Sequence, residues 1–579
     1  MSTDKIFASS ASSTTAARLA DLADLAERYW QFECEETPLS AALAGAVLRH
    51  DLLFRESPTD HARRDAGAAQ LLAELATIDA TALAGQERAT HRLLQRELSG
   101  IRAQFAVQAH LRPSLFPVAM DFATVFWANS SALTSVADAE QYLRRLGSIP
   151  AALAGFRESL TAGHAAGIRY PRVVLEGAAA NTRGIVDGAP EESAWYGPFK
   201  RSPLAGSGAL KPQAEKALTF IGGQLLPALR EHAAFMSGPL AEGGRESLSC
   251  VQGPHGAELY HVLVRHFTTT EHSPEAIHAL GLQEVARIAG EIEAVAAEAG
   301  YPGDVAGYRR FLATDPQFVA PSADALRLQI ESLCKRIDKR IPAYFGHLPR
   351  ITYGVESVPE AMSAKMPPAY AQPSPADGSA PGIFWVSGLP AKCPSYLHPA
   401  LAVHEAWPGH LMHIALMQEA QDLPSFRRFG AVKYTACVEG WALYCESLGI
   451  EMGVYTTPHE HYGHLEMQMW RAVRLVVDTG IHLLDWSREK AIATMTQHLT
   501  LAPETIAAEV DRYAALPGQA LGYQIGGLAL RGLREKAEST LGSRFQHRSF
   551  HTAVMTAGAV TLPVLEDLVG DWLATAANA

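Results

Sequence analysis

Apolar residues recur along most of this 579-residue chain at the three-and-four spacing that paints one face of an α-helix. The pattern predicts helices over 16–35, 64–107, 137–165, 211–237, 274–300 and 322–343. Thr269 or Ser273 supplies a cap for the helix at 274–300, and Gly300-Tyr301-Pro302-Gly303 stops it. The pattern then changes. "RITYGV" (350–355) and "GIFWVSG" (382–388) read as short strands, and a Pro/Ser/Gly/Ala-rich loop, 366–381, lies between them. Helical spacing returns over 398–421, 425–449, 460–484, 487–498, 503–515 and 518–541. The expectation is a mainly α, large multi-helix fold. One small β-sheet, about 350–388, precedes the helix that carries His404 and Glu405. An N-terminal helical lobe, 1–205, and a catalytic helical lobe, 206–579, are expected to pack as one unit.

Composition narrows the class. Hydrophobic residues make up 48% of the chain and mean hydropathy is near zero, as in a globular protein with a sizeable interior. The net charge of -12, without a Lys/Arg block, argues against nucleic acid or an anionic membrane as main partner. Six scattered cysteines, without a C-x-x-C pair, read as reduced thiols. The N-terminal stretch has no apolar segment of the secretory kind, and no apolar run reaches the ~20 residues of a membrane span. The cytoplasm is the expected compartment.

The chemistry concentrates in "LAVHEAWPGHLMH" (401–413). In H-E-x-x-H zinc hydrolases, histidines at i and i+4 lie on one helical face and reach one ion. The intervening Glu takes a proton from water. Here the histidines are six apart, which on a regular helix rotates His410 ~120° away from His404. Pro408 cannot donate to the carbonyl of His404 and crowds that turn, and Gly409 tolerates an unusual backbone. A break or π-type bulge centred on 407–409 would let His404 and His410 converge. "CVEGWALYCE" then offers Glu439 and Glu446 on one face of the following helix, with Gly440 permitting close approach. Glu439 is taken as the third ligand, Glu405 as the base, and Glu446 and His413 as residues supporting the ligands. "EHS" (271–273) and "PHEHYGH" (458–464) read as solvated loop histidines.

These residues resemble a known family. "HEAWPGH", "EGWALYCE", "MWRAVRLVVDTGIH" (469–482) and "LPGQALGYQIGGL" (516–528) together resemble the domain-of-unknown-function 885 family, as do "YLRRLGSIPAAL" (142–153), "GIRYPRVVLEG" (167–177), "ALGLQEVARI" (279–288) and "DGSAPGIFWV" (377–386). The family is regarded as zinc-peptidase-like and is similar to angiotensin-converting enzyme and neurolysin. The resemblance therefore implies a deep central channel, His404, His410 and Glu439 as zinc ligands, and Glu405 as general base. The chain departs from the family pattern at Leu411, His413 and Ala380.

Amide hydrolysis at zinc needs a second electrophilic group for the oxyanion, and Tyr523 or His482 is the candidate. Arg471, Arg474 and Asp478 share a helix. They read as an internal Arg–Asp pair, with Asp478 supporting the site, or with Arg474 reaching a substrate carboxylate. "GIFWVSG" is either a buried strand or an edge that pairs with an extended substrate, Trp385 then lining a subsite. The combined expectation is a zinc-dependent hydrolase acting on a small peptide or amide-containing small molecule. The alternatives are a metal-dependent lyase or amide-processing enzyme of a small-molecule pathway on the same scaffold, and a non-catalytic binding protein.

Overall fold

Ser273 caps the helix expected at 274–300: its hydroxyl accepts the Ala276 N–H, and Pro274 occupies the first turn. This helix, α1, runs Pro274–Glu298 in a computed structural model that describes all residues except 1–3, 44–50, 116–118, 364–365, 377 and 579. The chain is mainly helical with one small three-stranded sheet. The expected helix at 64–107 is two helices, Pro58–Leu75 and Gly85–Ala106. Most buried apolar side chains from Leu22 to Leu573 form one core, and a smaller separate cluster gathers Leu259, Tyr260, Val264, Ile277, Leu475 and Ile525. Helices Arg172–Val186 and Leu226–Ser237 pack together, so contacts cross the expected lobe boundary at 205/206.

The sheet contains β1 (Tyr353–Ser357), β2 (Ala369–Gln372) and β3 (Gly382–Val386), in the order β1-β3-β2. β1 and β3 are parallel with Tyr353 opposite Gly382, and β2 and β3 are antiparallel with Ala369 opposite Val386. Two expectations are corrected here. The segment 366–381 is not wholly loop, because β2 lies within it. β3 is the central strand, so both of its edges are already hydrogen-bonded and neither can accept an extended substrate. Phe384 on β3 is fully buried.

Downstream of the sheet, helices α2 (His398–Glu405) and α3 (His410–Glu419) replace the single helix expected at 398–421. They are followed by α4 (Thr435–Glu451), α5 (Pro458–Leu484), α6 (Pro503–Ala515) and α7 (Gly522–Leu541). α1 packs along α5, and α4 along α7. The α4–α7 approach depends on two glycines, since a Cβ on Gly440 would collide with the backbone of Gly526. The sheet meets the α2–α3 junction through the rings of Tyr353 and Trp407, 5.5 Å apart, and through Leu411 beneath Gly382. Leu411 thus packs against β3, while Ala380 is exposed.

Candidate metal centre

α2 ends at Glu405, and the chain turns through residues 406–409 before α3 begins at His410. The junction is a break between two helices and not a π-type bulge. The Trp407–Pro408 peptide is cis. The Ala406 N–H still bonds the Ala402 carbonyl, and the His413 N–H bonds the Gly409 carbonyl, so both helices keep hydrogen bonds across their ends. Trp441 on α4 donates its indole N–H to the Pro408 carbonyl at 2.9 Å. Position 409 tolerates only glycine, because a Cβ there would collide with the His404 carbonyl. The sequence thus converts a six-residue spacing into facing imidazoles, with His404 and His410 ring centroids 4.8 Å apart and nearly perpendicular.

Glu439 on α4 meets both rings. Its Oε2 lies 3.5 Å from His404 Nε2 and 3.4 Å from His410 Nε2. Ligand atoms of His404, His410 and Glu439 all lie within 4.8 Å of one another. The same Oε2 is buried without a hydrogen-bond donor. Glu446, two turns along α4, accepts from His404 Nδ1 at 2.8 Å and is completely buried. That bond fixes the His404 ring with Nε2 toward Glu439. Burial opposes charge on both partners, yet contacts with Glu439 and Glu446 raise His404 to about 9. The facing His410 and His404 in turn hold the Glu439 carboxyl well below the usual carboxylate range. The cluster thus sets two imidazoles against one carboxylate, an arrangement that favours positive charge on His404 and negative charge on Glu439.

Two imidazoles and one carboxylate, the first imidazole anchored by a further carboxylate, fit a divalent ion of the zinc type. The unsatisfied Glu439 Oε2 is the atom such an ion would complete. Glu405, adjacent to His404 in the chain, is buried, and its charge also acts on His404. Tyr523 on α7 is half-buried. Burial and then the charge of Glu439 raise its phenol above the ordinary value, which keeps it protonated as a donor. Gln519 lies 3.5 Å from its hydroxyl.

Other expected site residues lie elsewhere or do other work. His413 packs against Trp441, ring centroids 5.4 Å apart, and burial pushes it down to about 3, so it buttresses the break as a neutral ring. His482 is a structural residue. Its Nδ1 accepts the Cys250 N–H at 3.1 Å, and its Nε2 meets the Tyr513 carbonyl at 2.9 Å, leaving no ring nitrogen for an oxyanion. Asp478 does not pair with Arg471 or Arg474. It accepts from the Tyr260 hydroxyl at 2.8 Å and from the Gly518 N–H at 3.0 Å, and burial raises it to about 7. Arg474 pairs instead with Glu509 at 3.0 Å and with the Tyr513 hydroxyl at 3.2 Å, and its guanidinium lies 4.4 Å from the centre of the Tyr523 ring. Trp385 donates to Gln372 across the sheet at 2.9 Å and stacks on Tyr370.

The segment 458–464 is the opening of α5, not a loop. Thr457 and Glu460 form a capping box with Pro458 in the first turn. His464 is buried 3.8 Å from Glu446 Oε2, and Arg471 on the same helix lies 3.9 Å from Glu446 Oε1. Both residues surround the carboxylate that anchors His404, and the "TPHE" cap was the sequence signal for that helix.

A mainly helical chain that gathers a His-His-Glu cluster across a helix break is the class the fold and site define. Residues 38–569 match the family described as "Bacterial protein of unknown function (DUF885)", and the chain belongs to that family. Among solved structures it is similar to a candidate lipoprotein from Colwellia psychrerythraea, at 28% identity and TM-score 0.89, over 96% of this chain and 99% of that one. It also shares the fold of a candidate lipoprotein of unknown function from Shewanella oneidensis, at 17% identity and TM-score 0.70, over 95% of this chain and 99% of that one. No curated protein matches. Among the described residues, no helix is long and apolar enough to cross a membrane.

Proposed function

We propose that this chain is a zinc-dependent hydrolase that cleaves a peptide or another amide bond with water. The observation that carries the proposal is Glu439 Oε2, a buried carboxylate oxygen without a donor that faces the Nε2 atoms of His404 and His410. His404, His410 and Glu439 would hold the ion, with Glu446 orienting His404. Bound there, zinc supplies Lewis acidity to a carbonyl and makes water a stronger acid. Glu405 accepts the proton that water gives up and returns it to the leaving amine. Tyr523, kept protonated by burial and by Glu439, donates its hydroxyl to the developing oxyanion. Arg474 holds Glu509 and Tyr513 with Nη2 and Nε, while its buried Nη1 has no partner among the described residues. That free donor suits a substrate carboxylate. The fit to zinc-peptidase-like helical enzymes, and the channel that this likeness implies for substrate entry, belong to the same proposal.

The test is metal content followed by a screen. The purified chain is expected to carry about one zinc per molecule and to hydrolyse members of a peptide and amide library. Chelation should remove that activity, and added zinc should restore it. A chain that neither holds zinc nor gains any hydrolysis when zinc is supplied would overturn the reading.

A further inference from the structure

A cavity lies apart from the metal cluster. Its volume is ≈ 240 Å³, and none of His404, His410 or Glu439 lines it. Three of its walls carry guanidinium groups, Arg112, Arg169 and Arg245. Elsewhere in the chain partly buried arginines find carboxylates, as Arg512 finds Glu509 and Arg488 finds Asp511. Here they do not. Among the described residues, no carboxylate lies within 4.0 Å of these three groups. Arg112 donates to the Pro254 carbonyl, and its Nε is buried without a partner. Arg169 donates to the carbonyls of His164 and Ile168. Arg245 donates to the carbonyls of Arg169 and Ser247. The carboxylate whose field reaches Arg245 belongs to Asp485, which is already bonded to Ser247 and Gln252.

Backbone carbonyls satisfy N–H groups but do not neutralise charge. Burial lowers Arg112, and burial together with the positive charge of Arg112 brings Arg245 down to about 10 against the opposing pull of Cys250, Asp485 and Tyr170. Two guanidinium groups thus repel each other across a cavity that supplies no anion. Leaving cations in low dielectric without a counter-charge is costly unless something else pairs with them. The rest of the lining is largely apolar, including Ile168, Leu259, Leu263 and Phe267. An inorganic ion would leave that surface facing water.

We infer that this cavity binds a small organic oxyanion, a carboxylate or phosphate monoester on an apolar body, with Arg112 and Arg245 holding the oxygens. The planar fork of each guanidinium suits such a group, and the apolar walls take the body. The inference stands independently of the metal centre.

Titration calorimetry of the full chain with hexanoate, hexyl phosphate and hexan-1-ol tests it. One of the two anions should saturate with a dissociation constant below about 1 mM, and the uncharged alcohol should not bind. The stronger of the two anions identifies the headgroup. Arg245→Gln should weaken binding about tenfold or more, as expected for losing a charge-assisted hydrogen bond. Ala109→Trp adds bulk to the cavity wall while keeping all three arginines, and should have the same effect if the arginine variant fails to fold. Three results would overturn the inference: no saturation by either anion up to about 10 mM, equal binding of the alcohol, or undiminished binding in either folded variant.

Discussion

Asp478 on α5 is fully buried, while Glu439 on α4 buries its Oε2 and keeps 21% of its side chain exposed, and the buried oxygens of the two meet different partners. Asp478 accepts hydrogen bonds from Tyr260 and Gly518, and one turn further on His482 has both ring nitrogens taken by backbone groups. Glu439 has an oxygen without a donor, and what it faces are two imidazole nitrogens that lie too far away for hydrogen bonds of ordinary length. A satisfied cluster holds the fold together. An unsatisfied one costs stability, since each buried polar atom left alone costs about 1–3 kcal/mol. Convergence of three ligand-type atoms on such a gap is what the zinc proposal rests on. Residue type alone does not separate the two clusters.

The contrast breaks most easily at its centre. Glu439→Ala removes the unpaired oxygen, and we expect the chain then to lose stoichiometric zinc and all measurable hydrolysis. Metal analysis after dialysis reads the first effect, and the library assay reads the second. Retention of zinc by this variant would mean that the ion sits elsewhere. Glu405→Gln is the next largest change. It keeps size and hydrogen bonding but cannot take a proton, so turnover should fall by about 10²–10⁴-fold while zinc content stays unchanged. A fully active Glu405→Gln protein would strip Glu405 of its role as base. Glu446→Gln leaves all three ligands in place and weakens only the anchor of His404. Zinc affinity is expected to drop by about 10–100-fold, measured by competition with a chelator.

Asp478→Asn probes the other side of the comparison. Asp478 is raised to about 7 in the folded chain, well above its unfolded value of about 3.9. A carboxyl with a raised pKa contributes its stability below the unfolded pKa and loses it as pH climbs through the folded one. The melting temperature of Asp478→Asn should therefore rise relative to wild type, by a few degrees, between pH 4 and pH 8. Zinc content should not move. A pH-independent difference would show that Asp478 is already ionised throughout.

Much of this arrangement was legible in the sequence because its determinants are local. The strip His404–Glu405, the Pro408-Gly409 defect and the Glu439/Glu446 spacing lie within 43 residues, and each follows from helical geometry. The form of the break was not legible. The turn between the two helices is braced by the Trp441 indole on the Pro408 carbonyl, a contact between separate elements that no local pattern displays. The partner of Arg474 was hidden for the same reason. Asp478 sits at helical spacing on its own helix, but Glu509 on α6 offers a carboxylate from across the interface, 35 residues on. β2 is four residues long in a Pro/Ser-rich stretch, and only its pairing with β3 makes it a strand. The burial of His464 was masked by polar neighbours. The Thr457/Glu460 capping box marks that segment as a helix start, which places His464 two turns in, on a face turned toward Glu446.

The smallest expected effect falls on the break itself. Trp441 is fully buried, and its indole N–H is the donor that holds the Pro408 carbonyl. Trp441→Phe keeps an aromatic ring against His413 but removes that donor, leaving a buried carbonyl at a cost of about 1–3 kcal/mol. The melting temperature should fall by a few degrees. Gly409 still permits the close turn over the His404 carbonyl, and Glu446 still holds the His404 ring, so the imidazoles should stay convergent. Zinc affinity is then expected to fall less than tenfold, and turnover per bound zinc to stay the same. The ranking against Glu446→Gln carries the information. If Trp441→Phe weakened zinc binding more than Glu446→Gln does, convergence of His404 and His410 would be set by the 406–409 turn, and the buried carboxylate behind His404 would be only its accessory.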